Sequence, residues 1–148
     1  MSVSRRTRRP LPTLIAAAVM MAATVLSACQ ETLQERCARE AREYTERKCP
    51  VAVGKDIIMD SMYFVPATNT ICYSYTLHGE LDDSMVFQNT NPRQLLLHDL
   101  RNATGMKLYK DAGYSMRSIY YSAKNKGTKL VDETFTKKDY QHKEAVPK

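Results

Sequence analysis

The sequence predicts an α+β fold in which two tandem αββ units form a four-stranded antiparallel sheet with two helices on one face. Three observations support this class. Two stretches carry apolar residues at helical spacing, and four short runs are rich in β-forming residues, the clearest of them alternating between apolar and polar side chains. These segments follow one another in the order α-β-β-α-β-β, which favours a two-layer domain with a single core.

The first helix is predicted to begin at Thr32, because the segment from Thr32 to Glu35 has the composition of a capping box. Pro50 ends this helix. Arginine and glutamate alternate along the segment, and we interpret the charged faces as solvent-exposed. The apolar residues are spaced by four, four and three positions and therefore share one narrow face: Leu33, Cys37, Ala41 and Tyr44.

A β-hairpin is predicted next. Residues 57–65 are rich in β-forming side chains, Pro66 to Asn69 supply a turn, and residues 70–77 alternate strictly. Side chains along a strand point to its two faces in turn. One face of the second strand should therefore carry bulky residues and the other small or polar ones: Ile71, Tyr73, Tyr75 and Leu77 against Cys72, Ser74 and Thr76.

The second unit begins at Asn91-Pro92, an N-cap residue followed by a proline that suits the first turn of a helix. Four leucines supply the apolar face of this helix, and Gly105 is a suitable C-cap. Two further strands, 114–122 and 128–136, follow and are joined by a short turn that contains Gly127.

The N-terminal segment has the features of an export signal. Its first ten residues carry four arginines and no acid. The uninterrupted apolar run that follows, 14–28, is shorter than the roughly 20 residues of a transmembrane helix. This run ends in Leu26-Ser27-Ala28-Cys29, which matches the lipobox pattern. Over residues 1–30 the chain therefore resembles the bacterial lipoproteins.

That resemblance implies that the Cys29 thiol carries a diacylglyceryl group, that the chain is cleaved before Cys29, and that the new amine carries an acyl chain such as palmitate. Two or three acyl chains form a stable membrane anchor, whereas one does not. In the sorting rule of enteric bacteria, Gln30 after the lipidated cysteine implies passage to the outer membrane. The alternative is an ordinary signal peptide that is cleaved after Ala28 and leaves Cys29 as a thiol.

These signals divide the chain into four parts. A cleaved signal peptide, 1–28, precedes a lipidated tether, 29–31, a single α+β domain, 32–140, and a polar tail, 141–148, that is expected to be disordered. The tether spans only about 10 Å at 3.3–3.6 Å per residue. We therefore expect the partner of the domain, a protein or a glycan, to lie close to the membrane.

The charge of the chain argues against a nucleic-acid partner. Four of its 22 basic residues and none of its 16 acidic residues lie in the segment that is cleaved. Cleavage therefore lowers the net charge from +6 to about +2. The remaining basic residues form no stripe, because they alternate with acids in the first helix or gather near the C-terminus.

The other three cysteines permit at most one intramolecular disulfide in an oxidising compartment. Cys37 and Cys49 belong to a mostly helical segment and are about 18 Å apart at 1.5 Å per residue, which is too far for a bridge. A disulfide between Cys49 and Cys72 is possible if Cys72 points toward the first helix. It is prevented if the bulky face of that strand packs on the helices.

No arrangement of residues predicts catalysis, a metal site or a cofactor. The three histidines lack the spacing of zinc ligands, and no nucleophile motif or phosphate-binding glycine loop occurs. The acidic turn at Glu80, Asp82 and Asp83 matches no calcium-binding loop. We therefore expect no bound metal or cofactor.

Tyrosines provide the one candidate recognition surface. Seven of the nine fall in or beside the predicted strands. A sheet face that carries tyrosines suits recognition, since each ring combines a large contact area with few rotatable bonds and a polar tip. The high β propensity of tyrosine is a simpler explanation of the same pattern. The candidate surface consists of Tyr73, Tyr75, Tyr120 and Tyr121.

The chain also resembles small envelope lipoproteins with a Cys-Pro pair after a charged helix and a Tyr-X-Tyr-Thr-Leu strand, here Cys49-Pro50 and Tyr73–Leu77. That resemblance implies a location and carries over no activity. Two function classes remain. The first is a membrane-anchored, non-catalytic binding domain, which the lack of catalytic motifs favours. The second is a hydrolase or thiol-dependent enzyme whose site no spacing reveals.

Overall fold

The computed structural model describes residues 30–141, so that the predicted signal peptide, the lipidation site at Cys29 and the tail after Gln141 lie outside the described residues. No helix in the described range has the length and apolar character that crossing a membrane requires. The helices are α1 (Leu33–Lys48), α2 (Ser84–Gln88), α3 (Pro92–Asn102), α4 (Lys107–Asp111) and α5 (Lys137–Gln141). The strands are β1 (Val51–Gly54), β2 (Ile57–Val65), β3 (Thr70–Leu77), β4 (Ser115–Ser122) and β5 (Lys129–Phe135).

The strands form one mixed sheet in the order β1-β2-β3-β4-β5. β3 and β4 are parallel, and every other pair of neighbours is antiparallel. The predicted α+β class is therefore confirmed. The prediction of two tandem αββ units with four antiparallel strands is wrong, because the sheet has a fifth strand and one parallel pair.

Two features of the chain explain this difference. β1 has only four residues, too few for alternation to reveal, and it returns onto β2 through a turn at Asp56, where φ is 61°. The connection from β3 to β4 contains three helices, α2, α3 and α4. A crossover of that length returns the chain to the end where β3 began, so that β4 runs parallel to β3.

Helix α1 begins directly after Thr32, where the capping box predicts its start, and it packs on β2. The Thr45 hydroxyl donates to the carbonyl oxygen of Met62 at 2.7 Å and accepts from the Met62 amide at 2.8 Å. β1 pairs with β2 only from Ile57 to Met59. Thr45 therefore satisfies backbone groups on a part of β2 that β1 leaves uncovered.

The main core lies between the helices and one face of the sheet. Residues from Leu33 onward form one compact unit that contains this core. Gln141, predicted as the first residue of the tail, is instead the last residue of α5. The buried members of the core are Cys37, Ile71, Tyr109, Tyr114, Met116 and Tyr140.

The opposite face of the sheet is polar near its centre. Arg117 of β4 donates two hydrogen bonds of 2.7 Å to the carboxylate of Asp132 on β5. Lys129 donates to the same carboxylate at 2.8 Å. The hydrogen bond from Arg117 lowers the pKa of Asp132 to about 2. This face therefore carries a charged network beside the buried side chains of Cys72 and Ile119.

Candidate functional site

A groove lies on the helix-covered face of the sheet, over β3 and β4. α1 packs on β2, whereas α3 packs on β5, and a gap remains between them. Two adjoining cavities of about 250 and 340 Å³ occupy this gap and share lining residues. We call this gap the aromatic groove and define it by six of its lining residues: Tyr73, Tyr75, Leu95, Leu96, Asp99 and Tyr120.

The floor of the aromatic groove consists of tyrosine rings. Tyr75 of β3 and Tyr120 of β4 are register partners in the parallel pair. Their rings stack with centroids 4.6 Å apart and an interplanar angle of 12°. Tyr73 lies on the same face of β3, and its hydroxyl donates to the Met106 sulfur at 3.3 Å. Both stacked rings remain partly exposed and therefore accessible to a ligand.

One wall of the groove is α3, and the far end is closed by α2. Asn91 accepts a hydrogen bond of 3.1 Å from the Gln94 amide and so fixes the start of α3. Asp83 caps α2 in the same way, with a 2.9 Å bond from the Met85 amide. Leu95 is 62% exposed on this wall. The larger cavity is almost entirely apolar, and its other lining residues include Ile57, Leu77, Leu81, Val86, Phe87 and Val131.

The groove is neutral except at its rim. Burial raises the pKa of Tyr73 and of Tyr75 above the usual tyrosine value. Burial and the neighbouring Asp99 carboxylate raise the pKa of Tyr120 to about 12. All three hydroxyls are therefore protonated at neutral pH. Asp99 is the one charged residue among those that line the two cavities.

The structure brings together three of the four tyrosines of the predicted recognition surface and separates the fourth. Tyr73, Tyr75 and Tyr120 share the helix-covered face, where they form the groove floor. Tyr121 follows Tyr120 directly and therefore points to the opposite face. The prediction of one open tyrosine-rich sheet face is wrong in this respect, because Tyr121 lines a separate cavity with Thr76, whose side chain lies on the face opposite Tyr75.

Cys49 and Cys72, between which a disulfide was one of two possibilities, are both unbridged, as is Cys37. Cys72 alternates with Tyr73 and so points away from the face on which α1 packs. Its thiol lies beside Tyr63, near Arg117. The thiols of Cys49 and Cys72 therefore have different neighbours, Asp60 for Cys49 and Tyr63 with Arg117 for Cys72. Burial raises the pKa of all three, for Cys37 to about 11.

The acidic turn between β3 and α2 has a structural role. Asp82 is buried, and its carboxylate accepts a 2.7 Å hydrogen bond from the Lys124 amide in the β4–β5 turn. Hydrogen bonding to Ser122 and to the Lys124 backbone lowers the pKa of Asp82. Within residues 30–141, no group of three histidine, cysteine or acidic side chains is arranged to hold a metal ion.

The apolar part of the groove was not predicted from the sequence. All four leucines of α3 were expected on one apolar face of the helix, but only Leu97 and Leu100 pack against the core. Leu95 and Leu96 line the groove instead. The signal was present, since three consecutive leucines cover more of a helix than one buried face requires. The short helix α2 was not predicted, so Val86 and Phe87 were not expected to line a cavity.

Comparison with known proteins gives one family and two similar folds. Residues 32–131 match the family model described as Domain of unknown function (DUF8479). No curated protein matches the sequence.

Both similar folds cover 75% of this chain. A Pseudomonas aeruginosa protein provisionally described as secreted has a TM-score of 0.58 at 13% sequence identity over 99% of its own chain. EpsS, the pilotin of the Vibrio vulnificus type 2 secretion system, has a TM-score of 0.55 at 12% identity over 94% of its chain. The TM-scores show a shared fold.

Proposed function

We propose, from the premise that the chain belongs to the family described as Domain of unknown function (DUF8479), that it is a non-catalytic, lipid-anchored envelope protein. Its aromatic groove binds an apolar segment of a membrane-associated protein. The observation that carries this proposal is the groove itself, a largely apolar gap between two helices with an exposed leucine on its wall.

The groove has the dimensions and lining of a peptide site. Its two cavities together measure about 590 Å³, within the range of roughly 300–1,000 Å³ that is common for ligand pockets. An amphipathic segment inserts apolar side chains at helical spacing into such a groove. The stacked pair of Tyr75 and Tyr120 offers flat apolar contact on one side of that segment. This lining favours a protein partner over a glycan.

The two similar folds support a place in the envelope. One belongs to a protein described as secreted, and the other to a pilotin of a secretion system. Shared fold alone does not transfer a partner, but both descriptions concern secretion, one as a secreted protein and the other as part of a secretion system. The lipobox at Cys29 and the glutamine that follows it favour the same place, with an anchor in the outer membrane.

The cysteines support a non-catalytic role over a thiol-dependent enzyme. Catalytic cysteines are thiolates with a lowered pKa in an accessible, electropositive setting. Burial raises the pKa of Cys37 to about 11, so its thiol is protonated at neutral pH. Burial also raises the pKa of Cys49 and of Cys72. None of these thiols has the setting that nucleophilic catalysis requires.

Photocrosslinking in cells tests the proposal. A benzoylphenylalanine residue is placed at Leu95, which is 62% exposed on the groove wall, and in a matched strain at Val53, which is 51% exposed on the edge strand β1. We expect one crosslinked membrane-associated protein from position 95 and none from position 53. Cys29→Ser should reduce this crosslink strongly, because loss of the anchor lowers the local concentration of the domain.

The outcomes separate the two parts of the proposal. The same products from both positions, or none from position 95, would contradict binding in the groove. An unchanged crosslink in the Cys29→Ser strain would contradict the anchor. Labelling with a fatty-acid analogue provides an independent check, because Cys29→Ser should abolish it.

A further inference from the structure

We propose that a basic cleft between α3 and α4 binds the phosphate group of an anionic membrane lipid and so orients the domain on the bilayer. The cleft has a volume of about 300 Å³ and is separate from the aromatic groove. The inference uses the proposed anchor only to bring the domain near the membrane, and it does not depend on what the groove binds. We call this feature the anchor-side cleft and define it by Arg101, Thr104, Lys107, Lys110, Asp111 and Tyr140.

Two of its cations are held in place by the fold. Lys110 donates to the carbonyl oxygens of Leu100 and Arg101 at 2.8 and 3.0 Å, at the C-terminal end of α3. Arg101 donates to the carbonyl oxygen of Asp139 at 2.8 Å. The lining contains three cations and one carboxylate, that of Asp111. The cleft therefore has a net positive charge on a fixed framework, which suits a phosphate group.

The cleft lies beside the part of the domain where the chain enters. α1 begins at Leu33, which packs against the same core as Tyr109 of α4. The Tyr109 hydroxyl donates to the carboxylate of Glu40 in α1 at 2.6 Å. The four residue-to-residue steps from Cys29 to Leu33 can extend about 14 Å at most. A lipid on Cys29 would therefore hold this end of the domain near the headgroups.

An exposed apolar residue stands next to the cleft. Leu108 is 46% exposed on α4, between Lys107 and the core residue Tyr109. Proteins that lie on a bilayer commonly combine an apolar side chain, which enters the headgroup boundary, with lysines that meet anionic lipids. Lys107 is 74% exposed and pairs with Asp111. Because an exposed ion pair of this kind is weak, the Lys107 ammonium group can exchange this partner for a phosphate.

Anionic lipid fits these observations better than a dissolved phosphate compound. A soluble ligand gives no reason for an exposed leucine beside the cations, whereas a membrane surface explains both. Charge complementarity acts over a short distance, and each lysine or arginine near an anionic surface contributes about 1 kcal/mol. The cleft lies near the start of α1, which a lipid on Cys29 would hold close to the membrane surface.

Vesicle binding tests the inference. The chain from residue 29 onward, with Cys29→Ser, is mixed with vesicles of phosphatidylcholine alone or with phosphatidylglycerol added. We expect binding only to the vesicles that contain phosphatidylglycerol. Lys107→Gln should weaken it about fivefold, from the contribution of one lysine. Leu108→Ser should weaken it to a similar extent, and a urea titration confirms that each variant is folded.

Matched controls make the result specific to the cleft. Lys126→Gln removes the same charge from the β4–β5 turn, and Val53→Ser removes an exposed apolar side chain from β1. Both should bind like the parent chain. Equal losses from Lys107→Gln and Lys126→Gln, or equal binding to both kinds of vesicle, would overturn the inference. The inference would also be overturned if inorganic phosphate shifted the NMR resonance of the Thr104 amide while the protein bound neither kind of vesicle.

Discussion

Two regions on the same face of the sheet use tyrosine in different ways. In the region beside α4 and α5, Tyr109 and Tyr140 are buried and their hydroxyls are bonded. Tyr140 donates to the carbonyl oxygen of Tyr114 at 2.9 Å, and Tyr109 donates to a carboxylate. In the aromatic groove, Tyr75 and Tyr120 stack on each other and stay partly exposed. The first region is closed by packing, and the second is left open.

This difference shows how leaving a tyrosine ring partly exposed changes its role. A buried ring with a bonded hydroxyl contributes to folding, because its apolar area leaves water and its polar atom keeps a partner. A half-exposed ring contributes less to folding and keeps area available for a partner. We therefore expect substitutions in the closed region to lower stability, and substitutions in the groove to affect binding with little change in stability.

The largest effect is expected from Ile71→Ala in the closed region. Ile71 is 2% exposed and belongs to the main core. Truncation leaves a cavity under α1, and the free energy of unfolding should fall by about 3 kcal/mol. Urea unfolding, followed by circular dichroism, measures this change.

Leu95→Ala is the matched control in the groove. It truncates a side chain of the same size that is 62% exposed, so the free energy of unfolding should change by less than about 0.5 kcal/mol. A similar loss for both variants would mean that the groove wall is part of the folding core, and the distinction between the two regions would fail.

The sequence predicted the local elements of both regions better than their assembly. Apolar spacing and capping residues placed α1 and α3 correctly, since those signals depend on neighbouring residues. Strict alternation also placed Tyr73 and Tyr75 on one face of β3 with Ile71, as the structure has them. Tyr120 and Tyr121 line cavities on opposite faces of the sheet, and the register of β4 against β5 shifts between them, a feature that alternation does not reveal.

Other features depend on contacts far apart in the chain. The parallel pairing of β3 with β4 places Tyr120 beside Tyr75, and no local pattern encodes that pairing. The groove exists because α1 and α3 pack on strands that are not neighbours in the sheet. The absence of cover is therefore a tertiary property, which apolar spacing within one helix cannot reveal.

A smaller, pH-dependent effect is expected from Tyr109→Phe in the closed region. The hydrogen bond from Tyr109, with further help from Arg36, lowers the pKa of Glu40. A carboxylate with a lowered pKa stabilises the folded state above its unfolded pKa, and this contribution is lost as the pH falls through the folded value. Glu40 is 37% exposed, so we expect Tyr109→Phe to cost only about 1 kcal/mol at neutral pH.

The test of this prediction is the difference in unfolding free energy between the parent chain and Tyr109→Phe at several pH values. The difference should be constant near neutrality and should shrink as the pH falls below about 4.3, the usual glutamate pKa. Tyr75→Phe in the groove should show no such dependence. A cost that is independent of pH would assign the effect of Tyr109 to packing alone.

The smallest change in stability is expected from Cys49→Ser, but the rates at which the cysteine thiols react should differ clearly. Cys37 is 3% exposed in the closed region and has a pKa of about 11, whereas Cys49 is partly exposed beyond the end of α1. An aromatic disulfide reagent attacks through the thiolate and needs access. In a chain with Cys29→Ser, Cys49 should therefore react first, and Cys37 and Cys72 only after unfolding by urea.

Cys49→Ser should remove the fast phase and leave the slow one unchanged. If Cys37 reacted as fast as Cys49 in the native protein, α1 would be opening from the sheet, and the closed region would be no more closed than the groove.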